Sequence, residues 1–273
     1  NTAVGSNALL VCSTGTYNTA IGNYALDAHL GSGATAVGAN ALGANTTGGS
    51  NTAVGQTALA TNTTGGNNTA VGLNALTANT TADNNTAVGQ AALAANTTGT
   101  GNNALGYQSL DANTTGNYNT AMGHVALSIN STGSDITAIG GQALYNNAAS
   151  NNTGIGSQAL YANTTGTRNT AVGYQTLDAN TTAHSSTAIG ALALGANTTG
   201  EQNTACGDTA LYSNTTASYG TAVGQGALYT ATTGASNTAC GMEAGTALTD
   251  GENSVFVGEG AGIAVTVGNA NVC

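Results

Sequence analysis

The chain has 273 residues, 41 of them glycine, with no proline, a single basic side chain (Arg168) and a formal net charge of −10. Only 4% of the residues are charged, against about a quarter in an ordinary globular domain, so the composition argues against a conventional enzyme domain. One basic side chain cannot form a nucleic-acid-binding patch, and no run of 18 apolar residues offers a membrane span.

A repeat begins at the first residue. The segment Asn1–Gly5 reads N-T-A-V-G, and copies of this motif end in glycine sixteen times, at 17-residue intervals in thirteen cases and 16-residue intervals in two. The glycines are residues 5, 22, 38, 55, 72, 89, 106, 123, 140, 156, 173, 190, 207, 224, 241 and 258. No charged segment followed by an apolar segment opens the sequence, so we expect no signal peptide in it. Because the chain starts in phase with the repeat, we expect a processed product or a fragment of a longer protein.

The repeat predicts the fold. Its consensus, N-T-A-V-G-x-x-A-L-x-A-N-T-T-G-x-x, contains two short segments typical of strands, N-T-A-V and A-L-x-A, with corners at the glycine and at N-T-T-G. A period of 17 is too short for helical-hairpin repeats. We therefore predict an all-β parallel β-solenoid (β-roll) of about 16 coils of 17 residues, stacked about 4.8 Å apart.

Stacking places equivalent residues in columns, and two columns are the predicted core. One is the apolar residue before each glycine; the other is the leucine four residues after each of the first fourteen glycines, from Leu9 to Leu228. The first of these columns includes Val4, Ile21, Val54, Leu105, Met122 and Cys206. The alanine two residues before the glycine, as in Ala20 and Ala53, is predicted on the opposite strand face, where another protomer approaches closely.

Asparagine occupies the position seven residues after the glycine in eleven coils, from Asn45 to Asn214. Stacked asparagines predict amide ladders along the solenoid axis, and asparagine tolerates turns with positive φ. Ten of the eleven also head an Asn-x-Ser/Thr sequon and are candidate glycosylation sites. They are Asn45, Asn62, Asn79, Asn96, Asn113, Asn130, Asn163, Asn180, Asn197 and Asn214.

Variation concentrates at a few repeat positions, which we predict to face solvent and to carry any binding specificity. Tyrosine, histidine and aspartate gather there: Tyr24, Tyr107, Tyr145, Tyr161, Tyr212, Tyr229, His124, His184, Asp27, Asp111 and Asp178. Four of the tyrosines, Tyr145, Tyr161, Tyr212 and Tyr229, are the candidate surface-binding residues.

No catalytic, cofactor-binding or metal-binding set is predicted. The histidines His29, His124 and His184 occupy three different repeat positions, so we expect them to be exposed and not to converge. The carboxylates Asp250, Glu252 and Glu259 offer oxygen ligands for Ca²⁺, but a solvated acidic turn is the favoured interpretation.

The cysteines indicate no disulfide within the chain. Cys206 and Cys240 share one repeat position two coils apart, about 9.6 Å by strand spacing, which is too far for a disulfide. We predict that they are buried free thiols. Cys12 lies at a first-coil corner and Cys273 ends the chain, and either is a candidate for pairing between chains.

The last coils diverge. After Gly241 the leucine is replaced by Gly245 and Gly262, so residues 1–241 are predicted as solenoid repeats and residues 242–273 as a cap or transition segment. The N-terminal coil shows no such cap, and uncapped strand edges favour association between chains.

The motif N-T-A-V-G-x-x-A-L, with its last copy Asn253–Gly258, resembles the head repeats of trimeric autotransporter adhesins. The longer unit with N-T-T-G is similar to repeats in phage and marine-virus tail-fibre proteins. The resemblance covers residues 1–262 and implies a left-handed β-roll that forms homotrimers, although the adhesin unit is usually shorter than 17 residues.

Three functions are compatible with this reading, and none is enzymatic. The first is a structural fibre on a cell or virion surface, extracellular and self-associating. The alternative is a module that binds cell-surface glycans or another host surface through exposed Tyr, Asn and Thr. A minor alternative is an ice-binding solenoid, although the Thr columns do not form a clean Thr-x-Thr array.

Overall fold

A computed structural model describes all of residues 1–273 and contains only β-strands and turns. Sixteen three-residue strands follow the repeat. They are β1 Thr2–Val4, β2 Thr19–Ile21, β3 Thr35–Val37, β4 Thr52–Val54, β5 Thr69–Val71, β6 Thr86–Val88, β7 Asn103–Leu105, β8 Thr120–Met122, β9 Thr137–Ile139, β10 Thr153–Ile155, β11 Thr170–Val172, β12 Thr187–Ile189, β13 Thr204–Cys206, β14 Thr221–Val223, β15 Thr238–Cys240 and β16 Val255–Val257. No helix long and apolar enough to cross a membrane is present.

Two compact units divide the chain. The N-terminal unit, Asn1–Ile136, contains β1–β8, and the C-terminal unit, Thr137–Cys273, contains β9–β16. Within each unit every strand pairs in parallel with the next one along the chain, and equivalent residues of the repeat are partners, as Val54 is with Val71. The predicted parallel β-solenoid is therefore confirmed in each unit.

Each coil has one strand and not the two predicted. The A-L-x-A segment forms consecutive turns, because the leucine and the residue two before it adopt positive φ, as in Leu59 (52°) and Thr57 (57°). The turns close through Ala58 N–H to the Gly55 carbonyl at 3.3 Å. Leu59 N–H still donates to Ala75 of the next coil at 3.0 Å, so the turns stack in register like the strands.

The glycine of N-T-A-V-G is required at its corner for two reasons. Gly55 has φ +139°, which L side chains rarely adopt, and a Cβ there would overlap the carbonyl oxygen of Gly72 in the next coil. Because every coil stacks on an identical corner, a side chain at this position would separate neighbouring coils.

The predicted core is right in the leucine column and wrong in the strand. Leu59 is fully buried, but the aliphatic residue before the glycine faces outward, and Val54 is 37% exposed. The buried strand residue is the central alanine, Ala53. The limited space inside the coil explains why the alanine, and not the larger aliphatic residue, points inward. At the one strand with glycine at this central position, a Cβ on Gly154 would lie 3.0 Å from Leu144 Cγ, so in that coil even a methyl group is crowded and a larger side chain has no room.

The divergent C-terminal segment still forms a coil with one strand, but a different side chain fills the interior of that coil. Phe256 takes the central strand position and is fully buried. Its ring occupies the space where leucine side chains lie in other coils, because a Cβ at Gly262 would overlap the ring and one at Gly245 would lie 2.7 Å from it. The chain end then covers this strand, with Val257 N–H donating to the Cys273 carbonyl at 2.9 Å.

Candidate functional site

The asparagine column forms buried amide ladders in both units, as predicted. In the N-terminal unit, Asn62 Nδ2 donates to Asn45 Oδ1 at 2.8 Å and to the Gly65 carbonyl of its own corner at 2.9 Å. In the C-terminal unit, Asn180 Nδ2 donates to Asn163 Oδ1 at 2.8 Å. The positive φ that we expected at these asparagines falls instead on other turn residues.

Burial of the ladder bears directly on the candidate glycosylation sites. All ten sequon asparagines have no exposed surface. They are Asn45, Asn62, Asn79, Asn96, Asn113, Asn130, Asn163, Asn180, Asn197 and Asn214. The folded chain therefore does not present these amides to a glycosylating enzyme, and a sugar on any of them would have to displace the ladder. N-T-T-G is a structural corner.

A second buried asparagine column escaped the sequence analysis. It is the first residue of N-T-A-V-G. Asn51 Oδ1 accepts from the backbone N–H of Asn68 at 2.9 Å, and Asn51 Nδ2 donates to the Gly65 carbonyl at 2.7 Å. Each such side chain therefore joins two successive coils. The signal was present in the recurrence of asparagine at one repeat position, four residues before the strand's glycine.

The amide ladders end at two unpartnered atoms. His29, which occupies the asparagine position, is fully buried, and the prediction that it is exposed is wrong. Asn45 Nδ2 lies 2.9 Å from His29 Nδ1, while His29 Nε2 has no partner. Asn214 Oδ1 is also unpartnered, because Ala231 takes the asparagine position of the next coil.

Burial lowers the pKa of His29, partly opposed by its contact with Asn45. The other two histidines lie nearer the surface. His124 stacks on Tyr107 with ring centroids 5.4 Å apart, and His184 Nδ1 accepts from Thr167 N–H at 3.0 Å.

No three His, Cys, Asp or Glu side chains come together in a group that could hold a metal ion. Among the acidic residues near the C-terminus, Asp250 Oδ1 accepts from the hydroxyls of Thr232 at 2.9 Å and Thr233 at 3.0 Å. Its carboxylate thus ties two neighbouring coils together.

The first and third residues of each strand form what we call the outer sheet face. Thr and an aliphatic side chain alternate there, and the aliphatic residues are exposed or half-buried in both units. The most exposed are Val4, Ile21, Val54, Leu105, Met122, Ile189, Val223, Val255 and Val257. This face therefore presents a column of exposed aliphatic side chains in each unit.

All four cysteines are free. Cys206 and Cys240 do not pair, as predicted, but they are exposed on the outer sheet face, and the prediction of buried thiols is wrong. They occupy the position that an aliphatic residue takes in other strands. Because the alanine before them points into the coil, their own side chains point outward. Cys12 is half-buried with Sγ 3.6 Å from the Gly15 carbonyl, and Cys273 is exposed.

The four candidate tyrosines share one edge of the C-terminal unit. The residues five positions after the glycines of six successive coils define this tyrosine edge: Tyr145, Tyr161, Asp178, Gly195, Tyr212 and Tyr229. Tyr145 stacks on Tyr161 with centroids 5.5 Å apart and planes 11° from parallel. Tyr212 stacks on Tyr229 at 5.3 Å and 14°. The rings are half-buried or exposed, and no pocket indents the surface.

Asp178 and Gly195 separate the two tyrosine pairs. Asp178 is half-buried, and burial raises the pKa of its carboxyl, although backbone N–H groups of Asp178 and Ala179 act in the opposite direction. A Cβ on Gly195 would lie 3.2 Å from Tyr212 Cε2, so the tyrosine ring lies over the glycine backbone.

No protein-family model matches the chain. A search of curated proteins returns no match either.

Proposed function

We propose that the protein is a structural fibre protein that self-associates into homo-oligomers through the outer sheet face. The exposed aliphatic column carries this proposal. Val4, Ile21 and Val54 are 58%, 41% and 37% exposed on one face of the N-terminal unit, and Ile189 and Val223 repeat the arrangement in the C-terminal unit. A contiguous apolar surface of this kind is typical of an interface.

The expected partner is a second copy of the chain. Both partners then present the same coil spacing, so an aliphatic column on one copy can pack along its full length against the same column on another. The face carries almost no charge that such packing would have to desolvate. The resemblance to adhesin heads and tail fibres favours a trimer, in which three flat faces meet around one axis, and an extracellular or virion-surface location.

This interface differs from the one expected from the sequence. The alanine column, including Ala20, Ala53, Ala121 and Ala171, is fully buried inside the coil and cannot contact another protomer. The outward residue of the same strand, the aliphatic one, replaces it as the contact.

Mass photometry of the native chain tests the proposal. We expect a species of about 78 kDa, three chains of 26.1 kDa, and a shift toward the monomer when Ile21→Glu and Val54→Glu are combined. Thr47→Glu with Thr64→Glu is the matched control, because both threonines are exposed on the N-T-T-G corner. A well-folded 26 kDa native monomer would sink the idea.

Ice binding is a second candidate for the same face, favoured by one observation. The strand places Thr and an aliphatic residue in register on a flat, nearly uncharged surface, as in Thr52 and Val54. A native monomer that shows thermal hysteresis, with loss of the effect in Val54→Glu, would support this function over self-association.

A further inference from the structure

We propose that the tyrosine edge of the C-terminal unit binds a neutral oligosaccharide in the gap between Tyr161 and Tyr212. This site is distinct from the outer sheet face and goes beyond self-association. It uses side chains at the corner position five residues after the glycine, on coils that the strands β9–β14 hold in register.

The spacing of the edge fits a sugar. Stacked coils lie about 4.8 Å apart, so Asp178 is two coils, or about 9.6 Å, from Tyr212. The intervening coil carries Gly195 and offers no side chain. The ring of Tyr212 has one face covered by Tyr229 and lies over the Gly195 backbone, 3.2 Å from where a Cβ of Gly195 would stand, so no side chain of that coil covers its other face.

The paired tyrosines make rigid platforms. Each ring that borders the gap is supported from behind by a second, nearly parallel ring: Tyr161 by Tyr145, and Tyr212 by Tyr229. A pyranose presents a flat face of C–H groups that stacks on an aromatic ring, while its hydroxyls point outward at the ring edge. A residue stacked on the face of Tyr212 that Tyr229 leaves uncovered would bring these hydroxyls toward the Asp178 carboxylate, which accepts hydrogen bonds.

Charge selects the class of sugar. Asp178 is the only charged residue of the tyrosine edge, and the whole chain has one basic side chain, Arg168, at a different repeat position, with a net charge of −10. Acidic sugars such as uronates or sialates would meet repulsion and find no cationic partner. Neutral hexoses that donate hydroxyl groups to the carboxylate are the complementary ligands.

Gly195 provides the sharpest variant. Thr77 and Thr246 occupy the same repeat position in other coils, so Gly195→Thr is compatible with the fold, and its side chain would push the Tyr212 ring aside and cover the face on which the sugar stacks. Tyr212→Ala removes the platform, and Asp178→Asn removes the charge but keeps an acceptor. Tyr118→Ala is the matched control, because Tyr118 is exposed on the N-terminal unit, away from the edge.

The full chain is tested against immobilised neutral hexasaccharides of β-1,4-glucose, β-1,3-glucose, α-mannose and β-galactose, with polyglucuronate and polysialate as acidic probes. We expect at least one neutral probe to bind, a loss of about tenfold or more in Gly195→Thr and Tyr212→Ala, a smaller loss in Asp178→Asn, and no change in Tyr118→Ala. Saturation-transfer NMR should show contact between sugar protons and tyrosine rings in the native chain and in Tyr118→Ala, and no such contact in Gly195→Thr or Tyr212→Ala.

Three results would overturn the proposal: no neutral probe binds, binding is equal in native chain and Gly195→Thr, or only the acidic probes bind. Mass photometry on the same samples separates the test of sugar binding from the test of self-association. If Gly195→Thr loses sugar binding but keeps the native mass, the site stands whether or not the chain is a trimer. If the native chain is monomeric yet binds a neutral sugar, the proposal of self-association fails and the proposed sugar site stands.

Discussion

The side-chain amide of Asn45 donates a 2.9 Å hydrogen bond to Nδ1 of His29 at the start of a buried amide ladder. Asn45 Nδ2 also donates to the Gly48 carbonyl at 2.8 Å, so both of its hydrogens are used, and His29 Nδ1 has to be the acceptor. The imidazole is therefore neutral in the folded chain, with its proton on the unpartnered Nε2.

Protonation of His29 should destabilise the first coils. Its pKa is lowered by burial from 6.5, so the unfolded chain takes up a proton before the folded chain does. Stability is then fully present above about pH 6.5 and falls as the pH drops from there through the lower pKa of the folded state. Hydrogen exchange of coils 1–3 at pH 8 and pH 5 measures this directly.

His29→Asn is the matched variant, because it places the common residue of this position next to Asn45 and has no titrating group. Exchange in the first coils should become insensitive to pH between 8 and 5. An unchanged pH dependence in His29→Asn would assign the effect to another group.

The amide ladder predicts a contrast between its middle and its end. Asn96 Nδ2 donates to Asn79 Oδ1 at 3.0 Å and to the Gly99 carbonyl at 3.0 Å, and Asn96 Oδ1 accepts from Asn113 at 2.9 Å. Asn96→Ala leaves several buried groups unpartnered, at a cost of about 2–4 kcal/mol by the usual penalty for such groups. Asn214→Ala should cost less, since Asn214 Oδ1 already has no partner. Local unfolding free energies from hydrogen exchange test the difference; equal losses would contradict the ladder as a source of stability.

The fold was predictable because the period is unambiguous, but the direction of the strand side chains was not. In a three-residue strand, Thr and Val face one way and Ala the other, and the sequence alone does not say which side is the interior. Apolar size favoured Val54 as core. The stacked turns of Ala58 and Leu59 already fill the coil, however, and leave room only for the methyl group of Ala53.

The candidate site was predictable in part. The four tyrosines of the edge were singled out because they interrupt the repeat, and the structure pairs them by stacking. The contribution of Gly195 was hidden, since a glycine in a glycine-rich sequence carries no signal until the ring of Tyr212 is seen above it. His29 was misread for the opposite reason: it occupies the asparagine position, yet it was treated as a variable surface residue.

Exposure of Cys206 and Cys240 gives a direct probe of the outer sheet face. Under conditions that dissociate the chains without unfolding them, both thiols should react quickly with a maleimide, because both are exposed. In the assembled protein they should be protected, while Cys273, which is exposed at the chain end, should react in both states. Rapid labelling of Cys206 in the native oligomer would place the interface elsewhere.

We expect substitutions at Phe256 and at its glycine neighbours to compensate for each other. Gly245→Leu restores the repeat residue but forces a side chain into the ring of Phe256, and Phe256→Ala alone leaves a cavity with a cost of about 3–5 kcal/mol. The double variant Gly245→Leu/Phe256→Ala recreates the interior of an ordinary coil and should recover much of the loss. Unfolding midpoints of the native chain, the two single variants and the double variant form a double-mutant cycle. If the two losses of stability simply add, the ring of Phe256 does not take the place of the missing leucine.

Resistance to proteases should follow from the stacking of the coils. Arg168 is the sole trypsin site, since the chain has no lysine, and it is exposed in a turn with φ 59°. Its neighbours are nevertheless tied to the coils on both sides. Asn169 N–H donates to Asn152 Oδ1 at 2.9 Å, and Asn169 Nδ2 donates to the Ala183 carbonyl at 2.7 Å. A protease needs several residues in an extended conformation, so cleavage requires the coil to separate from two neighbours at once.

We therefore expect native protein to remain intact for hours with trypsin or chymotrypsin, and to be cut by trypsin after Arg168 once denatured. Asn169→Ala keeps the backbone bond to Asn152 but removes the side-chain ties to the next coil, to the Ala183 carbonyl and from Ser186 N–H, and should speed trypsin cleavage at Arg168 without changing the pattern of chymotrypsin products. The leucine column is buried and four tyrosines are stacked in pairs, while the exposed Tyr118, Tyr174 and Tyr219 of interior coils are protected only by the stacking of their coils. Rapid chymotrypsin cuts spread across those coils in the native protein would show that the coils open independently, and a fibre made of them would not last outside a cell.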